Sequence, residues 1–574
     1  MGLRRSLPSV LVAVLLPLAA LAQDLPIQSW MDRLHPVWAE HGMVASQEAE
    51  ATRVGVEILR GGGNAVDAAV AVALALAVTL PRAGNLGGGG FMLVYDAERG
   101  ETLAIDYRET APAASRRDMY LDAAGEAVAE RSRYSGLAVG VPGTVAGLEL
   151  ALERYGSMTM AEVAAPAIRL AEGLTVSHDL AYSLRDLEER LRRWPSSAAV
   201  FLKPDGGFYE PGDTLVQADL AASLRLIAEG GAAAFYRGPL AEKIAAAVQA
   251  AEGIVTVEDL AAYRAKVRRP VVGSYRGYEI VSMPPPSSGG VHIIEILNIL
   301  EGFPIGYLGL NGAETIHLMA EAMKLAYADR SRFLGDSDFV PVPVAGITSK
   351  AYAAELRGRI DRYRATPSAE IAPGAPLPYE SDQTTHFSIV DAAGNAVANT
   401  YTLNFSYGSG LVAEGTGILL NNEMDDFSAK PGVANAYGLI GGEANAVAPG
   451  KRPLSSMSPT MVMKDGRLLL VTGSPGGSRI ITTVLQVVMN VIDHGLNIAE
   501  ATVAPRVHHQ WLPEELRVEE GLSPDTLRLL AGMGHRVTES WAMGSVQSVM
   551  IDPETGTRLG YSDPRRSGAL TAGY

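Results

Sequence analysis

The sequence predicts a protein of the mixed α+β class. Across residues 23–361, segments with helical periodicity alternate with strand-like segments. From Thr384 onward, short strand-like runs are joined by tight turns, and a strand, a glycine turn and an apolar helix follow near residues 467–492. The chain has 574 residues and 47% hydrophobic composition, so it can build a large core in two or more structural units.

Residues 1–22 have the pattern of a secretory signal peptide. Arg4 and Arg5 precede the apolar run LVAVLLPLAALA, and the small residues Ala20 and Ala22 form a cleavage site. A membrane anchor is the alternative, but the apolar run is short for a membrane span. We therefore expect a periplasmic or secreted protein that begins at Gln23 and has no stable membrane anchor.

Composition excludes several functional classes. The formal net charge of −16 argues against a nucleic-acid partner. There are no cysteines, so neither disulfides nor thiol chemistry is available. The sequence contains no G-x-S-x-G, H-E-x-x-H or paired C-x-x-C motif. The adjacent pair His508-His509 should point in opposite directions, and we expect neither a metal site nor a cofactor.

The sequence predicts one fully buried helix and one amphipathic helix. Residues 68–78 are continuously apolar but too few to cross a bilayer, and they follow a cap formed by Asn64 with Asp67 three residues later. These features predict a buried helix. The segment ETIHLMAEAMKLAYADRSRFLG, residues 314–335, predicts a strongly amphipathic helix.

The stretch of residues 364–380 has four prolines and no periodicity, which predicts an exposed, mobile connection that tolerates a chain break. It ends just before DQTTHFSIV, residues 382–390, the first strand of a predicted hairpin. A three-residue loop ending at Gly394 places Thr384 opposite Thr402, with Cβ atoms about 4.5–5.5 Å apart. Asn404 lies two residues further along the same face.

Thr384 at the start of this strand has two interpretations. A β-branched residue favours a strand for packing reasons alone. If the chain is cut before Thr384, however, that residue carries a hydroxyl and a free amine together, which makes a nucleophile with its own base.

Two glycine-rich stretches follow. Residues 431–449 have no periodicity, which is typical of a functional loop or a disordered insertion. In TGSPGGSR, Gly476 and Gly477 precede a helix, where backbone N–H groups converge on an anion. An ordinary helix start is one alternative. A phosphate-binding loop is another, but this segment lacks the Lys and Ser/Thr with which such a loop ends.

Nine segments in order together make the sequence similar to the γ-glutamyltranspeptidase (glutathione hydrolase) family: AGNLGGGGFM, YRETAP, VPGTVAGLE, PPPSSGG, QTTHFSIVD, TYTLN, LLNNEMDDFS, KRPLSSMSPT and TGSPGGSR. The resemblance covers nearly the whole mature length. It implies a four-layer αββα sandwich of the N-terminal-nucleophile hydrolase type. It also implies a precursor that cuts its own Gln383–Thr384 bond, giving a large subunit, residues 23–383, and a small catalytic subunit, residues 384–574.

The resemblance also implies catalytic roles. Thr384 is expected as the nucleophile, with its freed α-amine as the base. Thr402 is expected to orient the Thr384 hydroxyl, or else to be a simple strand neighbour. Gly476 and Gly477 are expected to bind the oxyanion.

The same resemblance implies a pocket for the zwitterionic head of a γ-glutamyl donor. Arg108, Ser455 and Ser456 are expected to bind the α-carboxylate, and Asp426, Glu423 and Asn404 the α-ammonium. Relatives vary between Gln and Glu at the position of Glu423. The alternative for the charged residues is a solvated surface pair. Residues 431–449 match a lid over the pocket, with Tyr437 in its wall, or form an insertion without a role.

The sequence thus predicts a γ-glutamyl transferase and hydrolase. Its expected partners are glutathione and other γ-glutamyl compounds as donors, and water, amino acids or dipeptides as acceptors. One alternative is a cephalosporin (glutaryl) acylase-like amidohydrolase with the same nucleophile. The other is a non-catalytic periplasmic binding protein, which leaves the QTTH junction unexplained.

Overall fold

The computed structural model describes residues 29, 32–372, 384–430 and 442–574. The predicted signal peptide at 1–22, Gln383, Tyr437 and most of the predicted lid lie outside the described residues. Among the helices that are described, none combines the length and apolar character needed to cross a membrane.

Two seven-stranded antiparallel sheets form the centre of the described structure. The first sheet contains, in spatial order, β21 (Leu570–Gly573), β2 (Met43–Ser46), β10 (Thr385–Val390), β11 (Ala396–Thr402), β3 (Gly89–Asp96), β4 (Glu101–Asp106) and β7 (Lys266–Arg268). The second contains β1 (Val37–Ala39), β20 (Arg558–Ser562), β19 (Gln547–Ile551), β15 (Arg467–Thr472), β14 (Thr460–Lys464), β9 (Tyr278–Ser282) and β8 (Val271–Tyr275). Small sheets pair β5 (Leu174–Thr175) with β6 (Thr214–Leu215), β12 (Val412–Ala413) with β13 (Ile418–Leu419), and β16 (Val507–His508) with β17 (Leu516–Val518) and β18 (Val537–Glu539).

Helices cover the outer face of each large sheet. The layer on the first sheet contains α1 (Ala49–Arg60), α2 (Ala65–Thr79), α4 (Thr144–Tyr155), α5 (Met160–Glu172), α9 (Ala218–Tyr236) and α10 (Pro239–Ala250). The layer on the second contains α12 (Gly289–Leu300), α14 (Ala313–Phe333), α16 (Lys350–Arg357) and α17 (Arg479–Ile492). The remaining helices are α3 (Ala129–Arg133), α6 (His178–Asp186), α7 (Glu188–Arg192), α8 (Pro195–Phe201), α11 (Val257–Ala262), α13 (Ile305–Leu308), α15 (Val344–Ile347), α18 (Ile498–Val503) and α19 (Pro524–Gly532).

Side-chain alternation along β3 shows how the layers stack. Phe91 and Leu93 belong to the cluster between the two sheets, which also holds Leu470 of β15. Met92 and Val94, which point to the opposite face, belong to the cluster with the helices of the first layer. The prediction of a four-layer αββα sandwich is therefore confirmed.

The predicted buried helix is α2. Asn64 Oδ1 accepts hydrogen bonds from the N–H of Val66 (2.9 Å) and of Asp67 (3.1 Å), and Asp67 Oδ2 accepts from Asn64 N–H (2.8 Å). This reciprocal cap starts the helix at Ala65, and every residue of α2 is buried.

The prediction that residues 314–335 form an amphipathic helix is wrong in one respect. The helix exists as α14, but all its residues from Thr315 to Ser331 are buried, charged ones included. Lys324 Nζ pairs with Glu321 (2.5 Å) and donates to Thr366 O (2.5 Å), so the chain that follows the helix layer folds back and covers its polar face. Periodicity in one segment does not reveal a distant segment that covers it.

The described part of the predicted mobile stretch, residues 364–372, is anchored rather than wholly exposed. Trp511 Nε1 donates to Ser368 O (3.0 Å), and Ser368 and Ile371 are buried. Residues 373–380 lie outside the described residues.

Candidate active site

The hairpin of β10 and β11 has the predicted register. Thr385 pairs with Tyr401 and Val390 pairs with Ala396 around a turn in which Gly394 has φ +89°. Thr384, immediately before β10, therefore lies opposite Thr402, and their Oγ1 atoms are 3.5 Å apart. The predicted juxtaposition of two hydroxyls is confirmed.

Thr402 is fixed by the segment AGNLGGGGFM. Asn85 Nδ2 donates to Thr402 O (2.9 Å), and Asn404 N–H donates to Thr402 Oγ1 (2.9 Å). A Cβ atom at Gly88 would lie 2.1 Å from Thr402 O, so no larger residue allows this close approach. The glycine run thus lets two backbone segments meet beside the hydroxyl pair.

His386 is not a general base for Thr384. Its Nδ1 lies 2.8 Å from Thr400 Oγ1 and its Nε2 3.0 Å from Ser388 Oγ, so both ring nitrogens are engaged between the sheets. Burial lowers the pKa of His386 to about 3, which keeps the ring neutral.

Thr384 and Thr402 line a pocket whose empty space, part of it open to solvent, is about 330 Å³. All the predicted site residues that the structure describes line it, except Gly476. The lining residues are Arg108, Arg330, Thr384, Thr402, Asn404, Glu423, Asp426, Ser455, Ser456, Met457, Gly477, Ser478 and Ile480.

The glycine turn before α17 lies beside the cavity, which Gly477 lines. Gly476 O accepts from Arg479 N–H (3.0 Å) and Gly477 O accepts from Ile480 N–H (3.2 Å), so both carbonyls point into the first turn of the helix. Because C=O and N–H of a trans peptide point in opposite directions, the Gly477 N–H points away from the helix. Among the described residues, neither glycine N–H has an acceptor. Gly476 and Gly477 have φ +133° and +55° and precede the N-cap Ser478, so they form the turn before the helix, as predicted.

Arg108 is buried and bound to acids, so the interpretation as a solvated surface pair is wrong. Its Nη1 donates to Glu423 Oε1, and its Nη2 lies 2.5 Å from Asp426 Oδ2. Glu109 Oε2 lies 3.8 Å from Nη1. The guanidinium fork is thus shared with both acids that the sequence assigned to the substrate ammonium.

The buried carboxyl groups of Glu109 and Glu423 and the partly buried one of Asp426 therefore face one guanidinium. Burial raises the pKa of Glu109 to about 7 and that of Glu423 well above its usual value, although the Arg108 charge opposes both shifts. Burial also raises the pKa of Asp426 against the same opposition. These carboxyl groups therefore hold a proton more tightly than free carboxyl groups do, even with Arg108 beside them.

Asn404 is oriented for one role. Its Nδ2 donates to Asn422 O (2.9 Å), and its backbone has φ +74°. This bond fixes the orientation of the amide, so that Oδ1 can accept a hydrogen bond while Nδ2 keeps one further hydrogen to donate.

The sequence did not single out Glu109 or Arg330. Arg330 lies on α14, and its Nε and Nη2 donate to Ser288 Oγ (2.9 Å) and Ser456 Oγ (3.1 Å). The available signal was the segment PPPSSGG, which contains Ser288 and was used only for the resemblance to the family.

One group of the described residues has the residue types of a metal site, but its potential ligand atoms are already engaged in other contacts. His317, Glu321 and His535 bring ligand atoms within 4.8 Å of one another. However, His317 Nδ1 and His535 Nε2 are hydrogen-bonded to each other (2.7 Å), and Glu321 is paired with the ammonium of Lys324. His508 and His509 face different partners, namely Thr482 Oγ1 and Trp511 N–H.

A four-layer αββα sandwich with a threonine at the start of a central strand defines the class of N-terminal-nucleophile hydrolases. The family model described as Gamma-glutamyltranspeptidase matches residues 51–573 of this chain. A glutathione hydrolase proenzyme of Escherichia coli (strain K12) is 60% identical over 545 residues, which cover 95% of this chain and 93% of that relative. The chain therefore belongs to the γ-glutamyltranspeptidase family.

Acylases also resemble the chain. An acylase ACY 1 proenzyme of Pseudomonas sp. (strain V22) is 40% identical over 547 residues, or 94% of each chain. A solved cephalosporin acylase from Bacillus halodurans has a TM-score of 0.82 at 30% identity, covering 95% of this chain and 98% of that one. The fold alone does not separate the two activities, so the contents of the cavity decide between them.

Proposed function

We propose that this protein is a self-processing γ-glutamyl transferase and hydrolase that cleaves the γ-glutamyl bond of glutathione and related compounds. One observation carries the proposal: the hydroxyl pair of Thr384 and Thr402 lines the same pocket as the charged cluster of Arg108, Glu423 and Asp426. A nucleophile is thus placed beside groups of both charges, as the zwitterionic head of a γ-glutamyl donor requires.

Maturation begins with the threonine itself. Thr384 Oγ1 attacks the carbonyl of Gln383, the peptide becomes an ester, and water releases it. The products are a large subunit ending at Gln383 and a small subunit whose new N-terminus is Thr384. The freed α-amine has a reference pKa of about 7.7–8.0, which suits a base near neutral pH.

In turnover, Thr384 Oγ1 attacks the γ-carbonyl of the donor while the α-amine accepts the hydroxyl proton and passes it to the leaving amine. Thr402 holds the nucleophile in position. The Gly476 and Gly477 N–H groups bind the oxyanion, and the absence of an acceptor for either group among the described residues supports this role. Removing one such donor typically costs about 2.7–4 kcal/mol of transition-state stabilisation. Water, an amino acid or a dipeptide then takes the γ-glutamyl group from the ester.

Donor binding exchanges one buried ion pair for two. The α-carboxylate replaces Asp426 on the Nη2 edge of Arg108, whose planar fork suits a carboxylate. Asp426, with Glu423 and Asn404 Oδ1, is then available to the α-ammonium. Ser455 and Ser456 donate hydroxyl hydrogens to the same carboxylate, and the resemblance to the family assigns Tyr437, which lies outside the described residues, to the lid.

The signal-peptide pattern at residues 1–22 supports a periplasmic or secreted location for the processed pair of subunits. An extracellular enzyme of this kind meets glutathione and peptides outside the reducing cytoplasm. Because the chain contains no cysteine, an oxidising environment cannot form or break disulfides in it.

The acylase similarity supports a second candidate, a glutaryl amidohydrolase, and a pair of substrates separates the two. A γ-glutamyl anilide and a glutaryl anilide differ only in the α-ammonium. We expect strong preference for the γ-glutamyl compound and loss of much of that preference in Asp426→Ala. Asp425→Asn is the matched control, because Asp425 bonds to Ser132 and Arg133 instead of facing the cavity. Equal wild-type rates on both anilides would favour the acylase, and no turnover of either by an uncut chain would favour a binding protein.

A further inference from the structure

The cavity contains a second buried guanidinium, that of Arg330. Its side chain reaches from α14 to the cavity wall and is 4% exposed. Nε donates to Ser288 Oγ (2.9 Å) and Nη2 donates to Ser456 Oγ (3.1 Å). Two serine hydroxyls from distant parts of the chain are thus tied to one cation.

The charge of Arg330 is not matched in the way that the charge of Arg108 is. Among the described residues, no carboxylate oxygen lies within 4.0 Å of the Arg330 guanidinium, whereas Arg108 has three carboxyl groups within that distance. Burial lowers the pKa of Arg330 to about 10, so the group remains charged at neutral pH. A buried cation without an ion-pair partner is unfavourable, and an anion in the cavity relieves that cost.

Arg330 also fixes the two serines expected to meet the substrate carboxylate. Ser288, held by Arg330 Nε, donates from its Oγ to Ser455 O (2.8 Å), and its backbone N–H donates to the same oxygen (2.8 Å). Ser456 is held directly through its Oγ. A single guanidinium therefore positions the backbone of Ser455 and the hydroxyl of Ser456.

The direction of these bonds leaves the serine hydrogens available. Ser456 Oγ accepts from Arg330, and Ser455 Oγ accepts from Met457 N–H (3.1 Å). A hydroxyl that accepts through a lone pair can still donate its one hydrogen elsewhere. Donation to an anion is strengthened when a cation polarises the same oxygen.

We infer that Arg330 is a positioning residue for donor recognition. Through Ser288 and Ser456 it aims two serine hydroxyls at the α-carboxylate, and it supplies a positive charge with which no carboxylate among the described residues pairs directly. This inference rests on the proposed γ-glutamyl function. It gives the segment PPPSSGG a purpose, since Ser288 of that segment links Arg330 to Ser455.

The test isolates the α-carboxylate of the donor. A γ-glutamyl anilide and a 4-aminobutyryl anilide differ only in that group, so the ratio of their kcat/KM values measures its contribution. Where the second compound turns over too slowly, it is used as a competitive inhibitor of the first. Arg330→Met should lower the ratio by about tenfold or more, the scale of one lost charge-assisted hydrogen bond. Arg330→Lys keeps the positive charge but cannot bond to Ser288 and Ser456 at the same time through a planar guanidinium. It should therefore lower the ratio less than Arg330→Met does.

Controls separate recognition from folding. Arg332→Met changes an exposed arginine that lies two residues after Arg330 on α14, and it should leave the ratio unchanged. Ser288→Ala keeps Arg330 and should lower the ratio severalfold; it carries the test if Arg330→Met fails to yield two subunits. Equal losses on both donors, or an unchanged ratio in Arg330→Lys and Ser288→Ala, would overturn the inference.

The inference and the proposed function fail in different ways. If the wild type does not prefer γ-glutamyl over glutaryl anilide, the proposed function fails. If the wild type shows that preference but the Arg330 and Ser288 variants keep the carboxylate ratio, only the role of Arg330 fails.

Discussion

Replacing Thr402 by valine removes one oxygen from the cavity and hardly changes the shape of the side chain. That oxygen lies 3.5 Å from Thr384 Oγ1 and accepts the Asn404 N–H at 2.9 Å. The substitution therefore removes a restraint on the nucleophile and leaves a buried N–H without its acceptor. The second effect should lower the free energy of unfolding by about 1–3 kcal/mol.

The catalytic effect follows from the first contact. A neutral hydrogen bond contributes about 0.5–1.5 kcal/mol, so Thr402→Val should lower kcat about threefold to tenfold with little change in KM. Self-cleavage should slow as well, because the same hydroxyl attacks in both reactions. Steady-state kinetics on a γ-glutamyl anilide and a time course of subunit formation measure the two effects. Thr402→Ser restores the oxygen and should restore both rates; equal kinetics in the valine variant and the wild type would refute this reasoning.

Two further predictions concern buried charge. Arg108→Lys should lower kcat/KM for the donor about tenfold to a hundredfold, because an ammonium cannot reproduce the fork, while self-cleavage persists; a variant that no longer splits would show that Arg108 acts in folding. Burial raises the pKa of Glu295 from 4.5 to about 8, so the folded protein binds a proton that the unfolded chain releases. The free energy of unfolding should accordingly decrease as pH rises from 4.5 to about 8 and level off above that. Thermal unfolding across this range should show a shallower pH dependence in Glu295→Gln, and identical slopes in the two proteins would contradict the assignment.

Local features of the site could be predicted from the sequence. The position of Thr402 follows from the loop at Gly394, since hairpin register depends only on turn geometry and strand alternation. The cap of α2 by Asn64 and Asp67 is equally local. In both cases the interacting residues lie within a few positions or within one hairpin.

Contacts between distant segments could not be predicted in this way. Arg108 meets Glu423 and Asp426 across more than three hundred residues, so the sequence could assign these residues to a substrate but not to one another. The burial of α14 depends on residues such as Thr366 that follow the helix in the chain. Arg330 was missed for the same reason, because its partners Ser288 and Ser456 lie on other elements.

The most direct test of the account is the mass and N-terminal sequence of the purified wild type and Thr384→Ala. The wild type should consist of two chains, the smaller beginning at Thr384, whereas Thr384→Ala should remain a single inactive chain. Thr385→Ala is the matched control: Thr385 Oγ1 is buried and makes no hydrogen bond to the described residues, so this variant should still divide before residue 384. Cleavage of Thr384→Ala at the same bond, or full activity in an undivided wild-type chain, would contradict the claim that Thr384 is both the processing and the catalytic nucleophile.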